Sequence, residues 1–138
     1  MRYLDLAIGK ALDLGAEYAD IRVQKTSDEV VMLRNLSLKN TSHNVIYGYG
    51  IRVFYQGAWG FAHNNVFSEK AVLATTEKAF EIAQLSASVN KDKKLRLAPE
   101  RSYIAKYETP LKIDPFEVPL SEKVELMMET NRILLGYE

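Results

Sequence analysis

Residues 48–65 (GYGIRVFYQGAWGFAHNN) constrain the fold more than any other stretch, because strand pattern, turn chemistry and the only tryptophan coincide there. Ile51, Val53 and Tyr55 alternate with Arg52, Phe54 and Gln56. Trp59, Phe61 and His63 alternate with Ala58, Gly60 and Ala62, and both runs have the two-residue period of a strand. Gln56-Gly57 stands between them. Glycine there can supply the positive φ of a two-residue hairpin turn, although glutamine is a poorer first partner than asparagine or aspartate, so a three- or four-residue loop also remains open. The segment therefore reads as a central β-hairpin near 46–64. Gly48, Gly50 and Gly60 lie in or beside its arms, where glycine weakens a strand and marks a bulge or a close neighbour.

Helical spacing of Leu4, Ala7, Ile8, Ala11 and Leu12 predicts a first helix over 3–14, closed by a left-handed Gly15. Residues 19–25 alternate as a strand, and Thr26-Ser27-Asp28 reads as a turn. From Glu29 to Lys39 the apolar phase slips: Val31 and Leu33 are odd-numbered, Leu36 and Leu38 even. A bulge near Arg34-Asn35 would return the apolar side to the core. Asn40 to Asn44 reads as the loop into the hairpin, which makes an antiparallel meander of about four strands.

Ser68 can cap a second helix over 68–86, buried along Val72, Thr76, Ala79, Phe80 and Ala83. Lys91-Asp92-Lys93-Lys94 reads as a solvated loop. All four prolines, at 99, 110, 115 and 119, fall in a connective C-terminal region, with a short edge strand at 103–107 between them. A third helix over 120–135 starts at Pro119 or Ser121 and is striped by Val124, Met127, Met128, Asn131, Leu134 and Leu135. The expected architecture is α+β. Residues 1–98 form the core of one domain, and 99–138 are its connection and third helix.

At 138 residues and 47% hydrophobic content, one compact domain can bury roughly two-thirds of its unfolded surface. The 18 basic and 18 acidic residues cancel, leaving no excess charge to neutralise phosphates, so direct nucleic-acid binding is not expected. Cysteine is absent, which removes disulfides, thiolate ligands and a cysteine nucleophile and fits a cytoplasmic origin. No apolar run approaches the roughly 20 residues of a membrane helix.

Catalytic signals are missing. His43 and His63 lack metal-ligand spacing, no Gly-x-Ser-x-Gly elbow occurs, and Gly48-Tyr49-Gly50 precedes a strand where a dinucleotide loop would join a strand to a helix. Asp5, Asp13, Glu17 and Asp20 read as surface charge. No catalytic, cofactor-binding or metal residue is assigned. Trp59 and Phe61 on one side of a strand, with Tyr49, Phe54 and Tyr55 opposite, read first as packed sheet core and second as a peptide or partner surface. That surface would comprise Arg52, Phe54, Trp59, Phe61 and His63. Arg52, in mid-strand on the side of Phe54, must pair with a carboxylate or reach open solvent.

Gly15-Ala16-Glu17-Tyr18-Ala19-Asp20-Ile21-Arg22, Gly48-Tyr49-Gly50-Ile51-Arg52-Val53, Gly57-Ala58-Trp59-Gly60-Phe61-Ala62 and the Lys70–Ala83 helix together resemble the N-terminal domain of the TldD/PmbA metallopeptidase family. Its members have also been labelled modulators of DNA gyrase. Trp59-Gly60-Phe61-Ala62 looks closer to the TldD side, and residues 112–116 resemble the exit from that domain. The resemblance implies a following catalytic domain whose His-Glu-x-x-x-His motif binds zinc, peptide substrates, and a homodimer or a pair with a related subunit. None of the zinc ligands maps onto these residues, so the chain alone is expected to be inactive and to supply substrate channel and subunit interface. The alternative is a self-standing interaction or assembly module, with a regulatory role of the kind the gyrase label implies.

Overall fold

The computed structural model describes residues 2–90, 95–101 and 105–136. Their elements run α1 (Arg2–Asp13), β1 (Tyr18–Arg34), β2 (Ser37–Tyr55), β3 (Ala58–Asn64), α2 (Glu69–Val89) and α3 (Leu120–Leu135). The strands form one antiparallel sheet in the order β1-β2-β3. The α+β meander is thus present, with three strands where about four were expected.

The difference lies at residues 26–44. Thr26-Ser27-Asp28 and Asn40–Asn44, read as turn and loop, are interior to two long continuous strands. The chain reverses at Asn35-Leu36, both at positive φ (47° and 60°) as a type I′ turn demands. The phase slip between Leu33 and Leu36 therefore marks a hairpin tip and not a bulge. Polar residues persist in these strands because they bond across the ribbon: Asn44 Nδ2 donates to Asp28 Oδ2 at 2.9 Å. The second reversal, at Gln56-Gly57 (φ 46° and 78°), is the two-residue turn. Glu17 Oε1 accepts the Gln56 N–H at 2.9 Å, and Asn90 Nδ2 donates to the Gly57 carbonyl at 2.8 Å.

The chain divides into two compact units, one comprising residues 1–25 and 46–100 and the other residues 26–45 and 101–138. In the first, α1 and α2 pack together and α2 lies on β3. Gly15 (φ 97°) closes α1 with paired bonds, its own N–H to Leu12 O and the Ala16 N–H to Ala11 O, which is the Schellman arrangement. Ser68 Oγ caps α2 through the Ala71 N–H at 3.2 Å. All five residues expected on the buried side of α2 are buried there, joined by Thr75 and Ala87. They meet Tyr49, Ile51 and Val53 of β2 and Ala62 of β3 in the core. The polar atoms of this core are paired: Thr76 Oγ1 donates to Val72 O, Thr75 Oγ1 donates to Ala71 O, and the Tyr49 hydroxyl lies 3.3 Å from both Val66 O and Thr75 Oγ1.

Gly60 makes the packing of α2 on β3 feasible. A Cβ there would stand 2.0 Å from Ala79 O and 2.5 Å from Ala83 N, both backbone atoms of α2. At Gly50 the obstacle is the edge of the Phe61 ring, 2.7 Å away, a side chain able to move.

In the second unit α3 starts after Pro119 and ends at Gly136 (φ 72°). Its Val124, Met127, Met128 and Asn131 are half-buried, while Leu134 and Leu135 of the expected stripe are exposed, Leu134 at 78%. Lys123 Nζ reaches Glu29 Oε1 on β1 at 2.6 Å, and His43 of β2 meets the Phe116 ring edge-on at 6.0 Å. Of the strand expected at 103–107, residues 103 and 104 lie outside the described residues and 105–107 form no regular element. The charged loop at 91–94 also lies outside them.

Two substitutions test this account by chemical denaturation. Gly60→Ala sets a methyl against helix backbone and is expected to destabilise by about 3 kcal/mol or more, whereas Gly50→Ala should cost about 1 kcal/mol through displacement of Phe61. Equal effects at the two sites would refute it. Leu36→Gly removes a side chain from a left-handed position that disfavours it by roughly 1–2 kcal/mol, so a small net gain of about 0.5 kcal/mol is expected once glycine's added chain entropy is counted.

Candidate interaction surface

The register of β2 with β3 decides which side chains share a face. Gly50 pairs with His63, Arg52 with Phe61 and Phe54 with Trp59, while Ile51, Val53 and Tyr55 pair with Ala62, Gly60 and Ala58. Alternation then places Arg52, Phe54, Trp59, Phe61 and His63 together on the face opposite the helices. The five residues nominated from sequence therefore lie on one side of the sheet, with Phe54 buried there. Tyr49 and Tyr55 face the helices, so the aromatic group is divided between the two sides, with Phe54 joining Trp59 and Phe61. The packed-core reading holds for Tyr49 and Phe54, but Trp59 is 39% and Phe61 53% exposed.

Within this face the residues differ in kind. Trp59 is held on three sides: Phe54 at 5.1 Å between ring centroids, Tyr18 edge-on at 5.9 Å, and the Arg52 guanidinium 5.2 Å above its ring. Phe54 is only 1% exposed beneath this layer. Asp20 of β1 receives Arg52 through Nε and Nη2, with the shortest contact at 2.6 Å. That hydrogen bond, and then the charge of Asp20, raises the Arg52 pKa above its ordinary value. The guanidinium is consequently both charged and neutralised in place. Among the described residues Phe61 and His63 have no such clamp; their rings lie 6.0 Å apart at 32° and both are exposed on β3, an edge strand.

Asp20 and Glu17, read from sequence as surface charge, are the partners that sequence reasoning missed. The signal available was Arg52 itself, which required a carboxylate, but only the register of β1 on β2 selects Asp20. A cavity of about 230 Å³ was also missed, lined by Tyr3 and Leu4 of α1, Ile21 and Val23 of β1, Tyr47 and Tyr49 of β2, and Phe67 and Val72. The Tyr47 and Phe67 rings stack there at 4.5 Å.

Among the described residues no group of three or more His, Cys, Asp or Glu side chains could hold a metal ion. His63 neighbours Phe61, and His43 neighbours Phe116. Among the described residues the donors do not fit a zinc site. Nor, among the described residues, is any helix long and apolar enough to cross a membrane.

The described residues form a helix-backed antiparallel sheet with an aromatic outer face, a domain of the α+β class. Residues 19–83 match the family described as PmbA/TldA metallopeptidase domain 1. Similar relatives include a metalloprotease of Methanocaldococcus jannaschii, 30% identical over 89% of this chain and 27% of its own length. A zinc metalloprotease TldD homolog of Saccharolobus solfataricus is 39% identical over 47% of this chain and 14% of its own. A metalloprotease of Synechocystis is 28% identical over 88% and 25%. The chain belongs to the TldD/PmbA metallopeptidase family, whose first domain it carries. It spans about a quarter of the length of the first and third of these relatives.

The difference in clamping gives a graded expectation for stability, read from denaturant midpoints. Trp59→Ala uncovers Phe54 and should cost about 2–4 kcal/mol, whereas Phe61→Ser should cost less than about 1 kcal/mol. Arg52→Ala should lose about 1 kcal/mol or less, since the pair with Asp20 is half open to solvent. A raised arginine pKa gives stability that is complete below the unfolded-state value and lost only as pH rises through the folded one. The Arg52→Ala difference attributable to the guanidinium's own titration should therefore stay level between about pH 6 and about pH 9.

Proposed function

We propose that this chain is the non-catalytic first domain of a TldD-like zinc metallopeptidase acting in peptide maturation or proteolysis, and that it contributes substrate channel and subunit interface. The observation that carries the reading is the exposed Phe61–His63 platform on edge strand β3. An edge strand offers main-chain donors and acceptors to an extended peptide without demanding a particular sequence, and neighbouring side chains add preference. Zinc, in this reading, is held by the remainder of the parent protein. The relatives' names support the metallopeptidase assignment, and one of them includes zinc.

The domain also contributes to the subunit interface of a homodimer or of a pair with a related subunit. A cytoplasmic location accompanies this reading, supported by the cysteine-free composition. A second reading, an assembly module, is favoured by α3, whose Leu126, Ile133 and Leu134 are exposed at 65%, 72% and 78%. A regulatory role toward gyrase falls within that second reading, through protein contact; zero formal net charge provides no general attraction to DNA.

The purified chain, incubated with zinc and an unstructured peptide, should release no fragments by mass spectrometry; cleavage would overturn the accessory role. In the full-length parent, Phe61→Ser with His63→Ser should lower kcat/KM for peptide cleavage by about tenfold, corresponding to roughly 1.4 kcal/mol of lost binding, with melting temperature nearly unchanged. Unaltered cleavage would remove this face from the substrate path. A salt-sensitive DNA mobility shift at physiological ionic strength would contradict the protein-only reading.

A further inference from the structure

We draw no further inference here: the strongest candidate, the apolar cavity between the first turn of α1, strands β1 and β2 and the start of α2, lined by Tyr3, Ile21, Tyr47 and Phe67, carries nothing because no feature of the structure shows what fills it.

Discussion

The approach of α2 to β3 governs the first unit. At Gly60 the helix backbone occupies the space that any side chain would need. The strand residues on either side that share its inward direction are Ala58 and Ala62, and the helix answers with Ala79 and Ala83. Small residues on both elements let the surfaces meet closely, and dispersion contacts accumulate at that distance. Bulk on β3 must then lie on the other side. Trp59, Phe61 and His63 all point away from the helices, so the aromatic outer face is the geometric counterpart of a tightly packed inner one.

This asymmetry separates scaffold from surface among the aromatics. Trp59 is committed to structure: it covers Phe54, receives Tyr18 edge-on and lies under Arg52. Asp20 prevents Arg52 from acting as a free cation, because a bidentate carboxylate saturates much of its hydrogen-bonding fork. Phe61 and His63 retain exposed ring surface. Accessible apolar area on an edge strand is the combination on which the proposed peptide contact rests.

The long ribbon of β1 and β2 depends on different physics. Its tip holds Asn35 and Leu36 at positive φ, a conformation asparagine tolerates and leucine does not favour. Within the second unit, partial burial comes from the Lys123–Glu29 pair, the His43–Phe116 contact and the half-buried side of α3. Side chains of the pair are 20% and 23% exposed, so its charges are less screened than those of Arg52 and Asp20.

Local signals sufficed wherever one element carried its own evidence. Gly15 and Ser68 mark helix ends, the buried positions of α2 follow a 3.6-residue period, and Gln56-Gly57 between alternating runs specifies a hairpin. Resemblance at the two glycine-rich segments was enough to identify the family. The ribbon was harder to read, because Thr26-Ser27-Asp28 and Asn40–Asn44 have turn composition yet lie inside long strands, where Asn44 bonds across to Asp28. The side-by-side grouping of the nominated residues was legible in part, since strand alternation groups Arg52 with Phe54 and Trp59 with Phe61. Tertiary structure alone decided that these sets share one face, that Asp20 is the carboxylate Arg52 requires, and that Gly60 exists for α2. Each of those facts depends on strand register or helix placement, which are properties of pairs of elements that no single stretch of sequence encodes.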